Sequence, residues 1–245
     1  MSYIEELFSI KDRVAIVTGA ARGNGRSIAE GFRSAGAEVV AVDIVESIPG
    51  ISVCDITDNT ALTELTNRVL RKYGRVDIIV NNAGISIGGD SFENYSTEDW
   101  ERTNQVNFVA PFELIKLVAP SMKKTGGGSI INITSLNAEM AFPNNAAYMA
   151  SKGALRQLTK SAAYDLAAYN IRANNLAPGY MRTAMTEKSY NDPELHEARR
   201  ARTLLGRWGA SKDLIAPAIF LASDASSYIT GQDLYVDGGW STKGL

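Results

Sequence analysis

Short runs of Val, Ile and Leu alternate along the chain with longer stretches in which apolar residues recur every three or four positions. The runs at 14–17, 38–42, 76–80, 129–133, 171–176 and 233–236 are nearly continuous in apolar character. That pattern marks strands covered on both faces. Between them, 25–35, 59–73, 97–123, 146–168 and 211–222 carry a helical period. Strand–helix alternation predicts right-handed crossovers, hence an α/β fold: a doubly wound parallel sheet with helices on both faces. There is no internal repeat, low-complexity tract or linker, so residues 1–245 read as one domain. The exception to the alternation is 179–209, which is polar, charged and without a strand pattern. It reads as a lid over a site.

Composition narrows the function. Hydrophobic residues make up 45% and charged residues 21%, ordinary for a soluble globular chain. The net charge of −2 and the lack of a basic block argue against nucleic acid, whose phosphates demand clustered Lys and Arg. A lone Cys54 excludes an internal disulfide framework, and a lone His196 argues against a zinc site, so no metal is expected. Both counts fit a reducing cytoplasm. The segment MSYIEELFSIKDR lacks a signal-peptide apolar run, and no stretch is long enough to span a membrane. The expected partner is a small polar molecule.

The first strand runs into Thr18-Gly19-Ala20-Ala21-Arg22-Gly23-Asn24-Gly25, and a helical pattern follows at once. Glycines let the backbone turn tightly beside a pyrophosphate, and the helix N-terminus offers free N–H groups and a positive dipole end. Gly31 allows that helix to pack closely on the sheet. The second strand ends in Asp43, followed by Ile44. A carboxylate there can accept from the adenosine ribose hydroxyls and repel a 2′-phosphate. Arg22 could receive such a phosphate, but Ile44-Val45-Glu46 supplies no second cation. The expected cofactor is NAD.

Tyr148 and Lys152 stand four apart on a predicted helix and so share a face. Ser135 follows the strand at 129–133, and Asn81-Asn82-Ala83-Gly84 follows another. Sites of open α/β sheets gather at such strand ends.

With these motifs in order, almost the whole chain resembles the short-chain dehydrogenase/reductase family. The resemblance implies a Rossmann-like fold and a catalytic tetrad of Asn107, Ser135, Tyr148 and Lys152. It implies cofactor contacts from Gly19, Arg22, Gly23, Asn24, Gly25, Asp43, Ile44, Asp55, Ile56, Asn82, Ala83, Gly84, Pro178, Gly179 and Thr183, besides Tyr148 and Lys152. Asp55 would meet the adenine, and Pro178, Gly179 and Thr183 the nicotinamide and its carboxamide. Asn24 departs from the family, which commonly has an aliphatic residue there. The family also implies a homotetramer.

In the implied mechanism, Tyr148 takes the hydroxyl proton, Ser135 holds the substrate oxygen, and Lys152 also binds the nicotinamide ribose. Asn107 orders a water that passes the proton to solvent. A Tyr pKa of about 10 must fall by roughly 3 units to reach neutrality, and one nearby positive charge supplies roughly 1–3. Lys152 together with a positive nicotinamide ring is expected to meet that need. Asn137 and Glu139, beside Ser135 and Tyr148, offer polar contacts to a polyhydroxy substrate, and the lid adds Arg182, Thr183, Thr186, Glu187 and Lys188, whereas Arg199, Arg200 and Arg202 form the kind of basic rim a carrier-protein partner would favour. The stretches around Ser135, Pro178 and 202–209 resemble the gluconate 5-dehydrogenase branch. A 3-oxoacyl carrier-protein reductase and a non-catalytic NAD-sensing protein stand as alternatives. His196 reads as part of a solvated helix face, and Cys54 as a small buried residue near the adenine.

Overall fold

A computed structural model describes residues 2–47, 49–88 and 91–243. Its strands are β1 (Val14–Thr18), β2 (Glu38–Asp43), β3 (Ile51–Val53), β4 (Ile78–Asn81), β5 (Gly128–Ile133), β6 (Ile171–Pro178), β7 (Met181–Arg182), β8 (Gly209–Ala210) and β9 (Asp233–Val236). Its helices are α1 (Tyr3–Leu7), α2 (Gly23–Ser34), α3 (Asn59–Tyr73), α4 (Thr97–Asn104), α5 (Ala110–Thr125), α6 (Ala146–Leu166), α7 (Glu187–Asn191), α8 (Pro193–Arg202) and α9 (Ile215–Ala222). Seven strands form one parallel sheet in the order β3-β2-β1-β4-β5-β6-β9. The winding direction reverses between β1 and β4, which opens a crevice at the carboxyl ends of those strands. This is the expected single-domain Rossmann-like α/β architecture.

Period-two alternation explains why the strands read as unbroken apolar runs. Val14 and Ile16 face a core shared with α3, α5 and α6, through residues such as Leu65, Leu114 and Ala163. Ala15 and Val17 face the opposite core, with Ile28 and Phe32 of α2 and Leu221 of α9. Both faces are buried, so the two sets of apolar positions merge into one run.

Four expectations need correction. The helix expected at 97–123 is two helices joined by a π-helical turn at Gln105–Val109, which carries Asn107. The lid segment has strand after all: β7 pairs with β8 through Met181 opposite Gly209 and Arg182 opposite Ala210. That ladder ties the two ends of the segment around α7 and α8. Gly31 serves a helix contact rather than the sheet, because a Cβ there would lie 2.4 Å from Ile215 Cγ2 at the start of α9. His196 does not belong to a solvated face. Its ring stacks on Trp208 at 5.5 Å and meets Tyr190 edge-on at 4.7 Å.

Candidate active site

The glycine turn sits at the crevice. Gly19 and Gly23 adopt φ of 65° and 57°, a region that disfavours any Cβ. Gly25 is packed so closely that a Cβ would lie 2.2 Å from the Gly19 carbonyl oxygen. Asn82 fastens the turn from β4: its Nδ2 donates to the carbonyls of Thr18 and Gly19 at 2.9 and 3.0 Å. The Thr18 hydroxyl oxygen accepts from the N–H groups of Asn82 and Ala83, each at 3.1 Å. Helix α2 then starts with no side-chain cap on its first N–H groups. A Cβ on Gly23 would meet only Thr183, in ordinary contact at 3.7 Å, so Thr183 faces the helix start across the narrow gap that the glycine leaves. An uncapped helix N-terminus under a glycine cradle fits a cofactor diphosphate.

The Asn24 side chain turns away from that gap, where its Oδ1 accepts from Ser211 Oγ at 2.8 Å. Only its backbone is left for a phosphate. Asp43 ends β2 beside the turn, its Oδ2 accepting from the Ala21 N–H at 2.9 Å and its Oδ1 from the Ile44 N–H at 2.8 Å. Ile44 is exposed, and Arg22 is exposed next to Ala21. Asp55 accepts from the N–H and hydroxyl of Thr57. Ile56 and Cys54 pack their side chains into the core around Leu62. Gly179 lies against Asp237, with a Cβ clearance of 2.8 Å, and its N–H donates to Val236 O at 3.0 Å.

The four tetrad residues come from three places: the π-helical turn, the end of β5 and α6. Ser135 follows β5, and its Oγ lies 3.1 Å from Asn137 Oδ1. Tyr148 and Lys152 lie on consecutive turns of α6, with Lys152 Nζ 5.6 Å from the Tyr148 ring centroid. Lys152 is only 3% exposed, and its ammonium donates to Ile133 O at 2.8 Å. Burial brings the Lys152 pKa down to about 8. Burial also pushes the Tyr148 phenol above its ordinary value; the hydrogen bond with Ser135 pulls it partly back, and neighbouring Tyr180 adds to the rise. The phenol thus stands above its ordinary value without a bound nicotinamide ring, and the joint action of Lys152 and that ring belongs to the proposed mechanism.

Asn107 is fully buried in the π-helical turn. Its Oδ1 accepts from the Ile85 N–H at 2.8 Å, and its Nδ2 donates to Ile85 O at 2.8 Å and Ser151 Oγ at 3.0 Å. A wider turn of this kind inserts one residue and re-aims a side chain, which is why such turns gather at functional sites. A Cβ on Gly84 would meet Asn107 Oδ1 at 3.3 Å and Lys152 Nζ at 3.5 Å, so a glycine is what lets the loop after β4 pass between them.

Glu139 is drawn toward the sheet edge. Its carboxylate accepts from the Tyr235 hydroxyl at 2.5 Å and lies 3.9 Å from Arg156. Asn137 stays beside Ser135. An aromatic wall of Phe142, Tyr180, Trp208 and Trp240 closes the lid side, with Tyr180 4.9 Å from Trp240 and 5.5 Å from Trp208. Three contributors escaped sequence reasoning. Thr18 adjoins the glycines, Ser151 lies on the Tyr148 face at i+3, and Tyr180 follows Pro178-Gly179; adjacency to a motif was the signal available for each.

The chain is a nicotinamide-dependent oxidoreductase of CH–OH groups, and Ser135, Tyr148, Lys152 and Asn107 form its candidate centre. A family described as Enoyl-(Acyl carrier protein) reductase matches residues 19–241, and the chain belongs to it, within the short-chain dehydrogenase/reductases. It is 40% identical to gluconate 5-dehydrogenase of Gluconobacter oxydans, over 96% of each chain. It is 38% identical to the 3-oxoacyl-(acyl-carrier-protein) reductase of Thermotoga maritima, over 94% of this chain and 98% of that one. A crystal structure of a gluconate 5-dehydrogenase from Burkholderia cenocepacia, in complex with NADP and tartrate, superposes with a TM-score of 0.94 at 35% identity, over 99% of this chain and 100% of that one.

Proposed function

We propose that this protein interconverts a secondary alcohol and a ketone on a sugar, sugar acid or polyol, with NAD as the favoured cofactor. The observation that carries the chemistry is the convergence of Ser135, Tyr148 and Lys152 at the carboxyl edge of β5 beside the glycine turn. Bound NAD would supply the hydride acceptor and a positive ring next to Tyr148. Ser135 Oγ holds the substrate oxygen, and Tyr148 Oη takes its proton as general base. Lys152 favours the phenolate and binds the nicotinamide ribose. Asn107, held by Ile85, orders the water through which the proton leaves. Thr183, Pro178 and Gly179 would hold the nicotinamide, and Asp43, Ile44 and Asp55 the adenosine.

The similarity to a gluconate 5-dehydrogenase supports the substrate class, and the solved relative holding tartrate is in complex with a polyhydroxy acid. That relative also holds NADP, whereas the Asp43 carboxylate beside this glycine turn supports NAD. The working form on this reading is a cytoplasmic homotetramer. Exposed Phe112 on α5 and Tyr164 on α6, 43% and 88% accessible, support an assembly through those helices; light scattering on the purified protein tests it.

The deciding experiment is cofactor reduction with gluconate, other aldonates, hexoses and polyols, and NAD(P)H oxidation with a 3-oxoacyl thioester. Turnover of a sugar or sugar acid is expected. A clear preference for the thioester overturns the substrate class in favour of the acyl reductase, and no turnover of any of them favours a non-catalytic NAD-binding protein.

A further inference from the structure

The charged lid divides its arginines into different environments. Arg200 forms a two-pronged pair with Glu197 at 2.7 and 2.6 Å and also donates to Gly206 O. Arg202 donates to Lys243 O. Arg207 pairs with Asp213 at 2.7 Å. Arg199 is different. Its guanidinium carbon lies 4.7 Å from the centre of the Tyr180 ring. Its Nη1 donates to Leu195 O, one turn back on α8. Its Nε is buried without any partner, one of two such side-chain atoms among the described residues. No carboxylate lies within 4.0 Å of it among those residues.

A buried Nε donor without a partner, on a half-buried arginine, is unfavourable unless something completes it. The placement names what that is. Arg199 covers one face of Tyr180, and Tyr180 adjoins Tyr148 closely enough to influence its proton affinity. Tyr180 is also packed against Phe142 and Trp240, so its ring is fixed rather than free to swing aside. A short chain with its reacting carbinol at Tyr148 therefore places its far end near Arg199. The planar fork of a guanidinium matches a carboxylate in two parallel hydrogen bonds, and a neutral hydroxymethyl group cannot provide them.

We propose that Arg199 receives the carboxylate of the substrate, so that the protein selects sugar acids over neutral sugars and polyols. This rests on the sugar-class reading above and narrows it. Arg199 is a binding residue that acts on specificity. The cationic partner lies on α8, inside the β7–β8 clasp, so a carboxylate also links the lid to the bound substrate.

The test compares gluconate with sorbitol, its neutral counterpart, in the wild type and in Arg199→Met, Arg199→Lys and Arg200→Met. Gluconate binding in the presence of NADH is measured in parallel by calorimetry. Methionine keeps an unbranched stem over Tyr180 and removes the fork. The expected result is a wild-type kcat/KM for gluconate at least tenfold above that for sorbitol. Arg199→Met should lower that ratio on the order of a hundredfold, chiefly by raising KM for gluconate. Arg199→Lys should restore part of it, and Arg200→Met, whose guanidinium is already held by Glu197, should leave it as it is. Calorimetry should show gluconate binding lost in Arg199→Met. Turnover of neutral polyols with no preference for acids, or equal losses for both substrates in Arg199→Met, overturns the carboxylate assignment and leaves the sugar-class reading standing. Arg199-dependent gluconate binding without turnover of any sugar leaves the assignment standing and overturns that reading. Gluconate binding that is unchanged in Arg199→Met overturns the assignment outright.

Discussion

Lys152 Nζ donates to the carbonyl oxygen of Ile133 at 2.8 Å. The bond joins α6 to the end of β5, two residues before Ser135. It therefore sets the helix that carries Tyr148 against the strand that delivers Ser135. It also satisfies one donor of a buried ammonium, yet burial still draws the Lys152 pKa down to about 8. The site thus holds a cation at a cost to the fold, a common arrangement where chemistry needs a perturbed group.

That cost has a definite pH signature. The folded pKa of Lys152 lies below its ordinary value, so between the two the unfolded chain binds more protons. Stability then rises with pH in that window. Below about pH 8 the full penalty applies, about 3 kcal/mol from the fall from 10.5 to about 8. Urea unfolding of the wild type and Lys152→Met from pH 7 to 10.5 should show the wild type gaining on the variant as pH rises. A stability difference that is flat across this range contradicts a buried ammonium at Lys152.

Tyr148→Phe should lower kcat for alcohol oxidation by roughly 10²–10⁴-fold, the usual contribution of a positioned acid-base group. Cofactor binding, followed by fluorescence quenching, should survive because the ring stays in place. Since burial holds the wild-type phenol protonated, oxidation by the wild type should rise with pH through the neutral and alkaline range. Substantial kcat in a folded Phe variant removes Tyr148 from the mechanism.

A chain of buried side chains crosses four strands. Asn81 Nδ2 donates to Asn132 Oδ1 at 2.8 Å, Asn132 Nδ2 to Thr159 Oγ1 at 2.7 Å, and Thr159 Oγ1 to Asn175 Oδ1 at 2.6 Å. Asn175 Nδ2 then donates to Asp233 Oδ1 at 2.7 Å, and Arg156 Nε to Asp233 Oδ2 at 2.6 Å. Asn132→Ala removes the acceptor of the buried Asn81 amide and one of the bonds at Thr159, so it should destabilise the protein by about 1–3 kcal/mol. Denaturant titration measures this, and a loss under about 0.5 kcal/mol would show that the chain is not energetically linked.

Sequence reasoning succeeded where one physical cause dominated. Val14 to Val17 reads as strand because helices cover both faces of β1. Tyr148 and Lys152 were legible as a pair because helix geometry alone aligns positions four apart. It failed where tertiary contacts decided the outcome. β3 was not recognised: it has only three residues at a sheet edge, and its Val53 is 52% exposed. The π-helical turn at Asn107 carries no Gly or Pro to announce it, and it exists because Ile85 and Ser151 hold the amide. The same holds for His196, whose charged neighbours in sequence concealed the contact of its ring with Trp208.

On the proposed reading, the choice between NAD and NADP turns on Asp43. Its carboxylate sits at the end of β2, fixed by the N–H groups of Ala21 and Ile44. Both bonds keep the anion beside the glycine turn, where an adenosine ribose lies when the diphosphate is on α2. A ribose diol can donate to the remaining lone pairs, whereas a 2′-phosphate brings a second anion against the first. Arg22 works in the other direction. It is exposed, adjoins Ala21 and forms no ion pair among the described residues, so it can offset part of the repulsion. The expected wild-type behaviour is a kcat/KM for NAD roughly 10- to 100-fold above that for NADP. Asp43→Ala should erase most of that ratio by losing affinity for NAD and gaining it for NADP. Arg22→Ala should widen it, because the cation serves only the phosphorylated cofactor. The measurement is steady-state kinetics with both cofactors at saturating substrate. If the wild type prefers NADP, or if Asp43→Ala leaves the ratio unchanged, the carboxylate does not discriminate between them and Arg22 becomes the controlling residue.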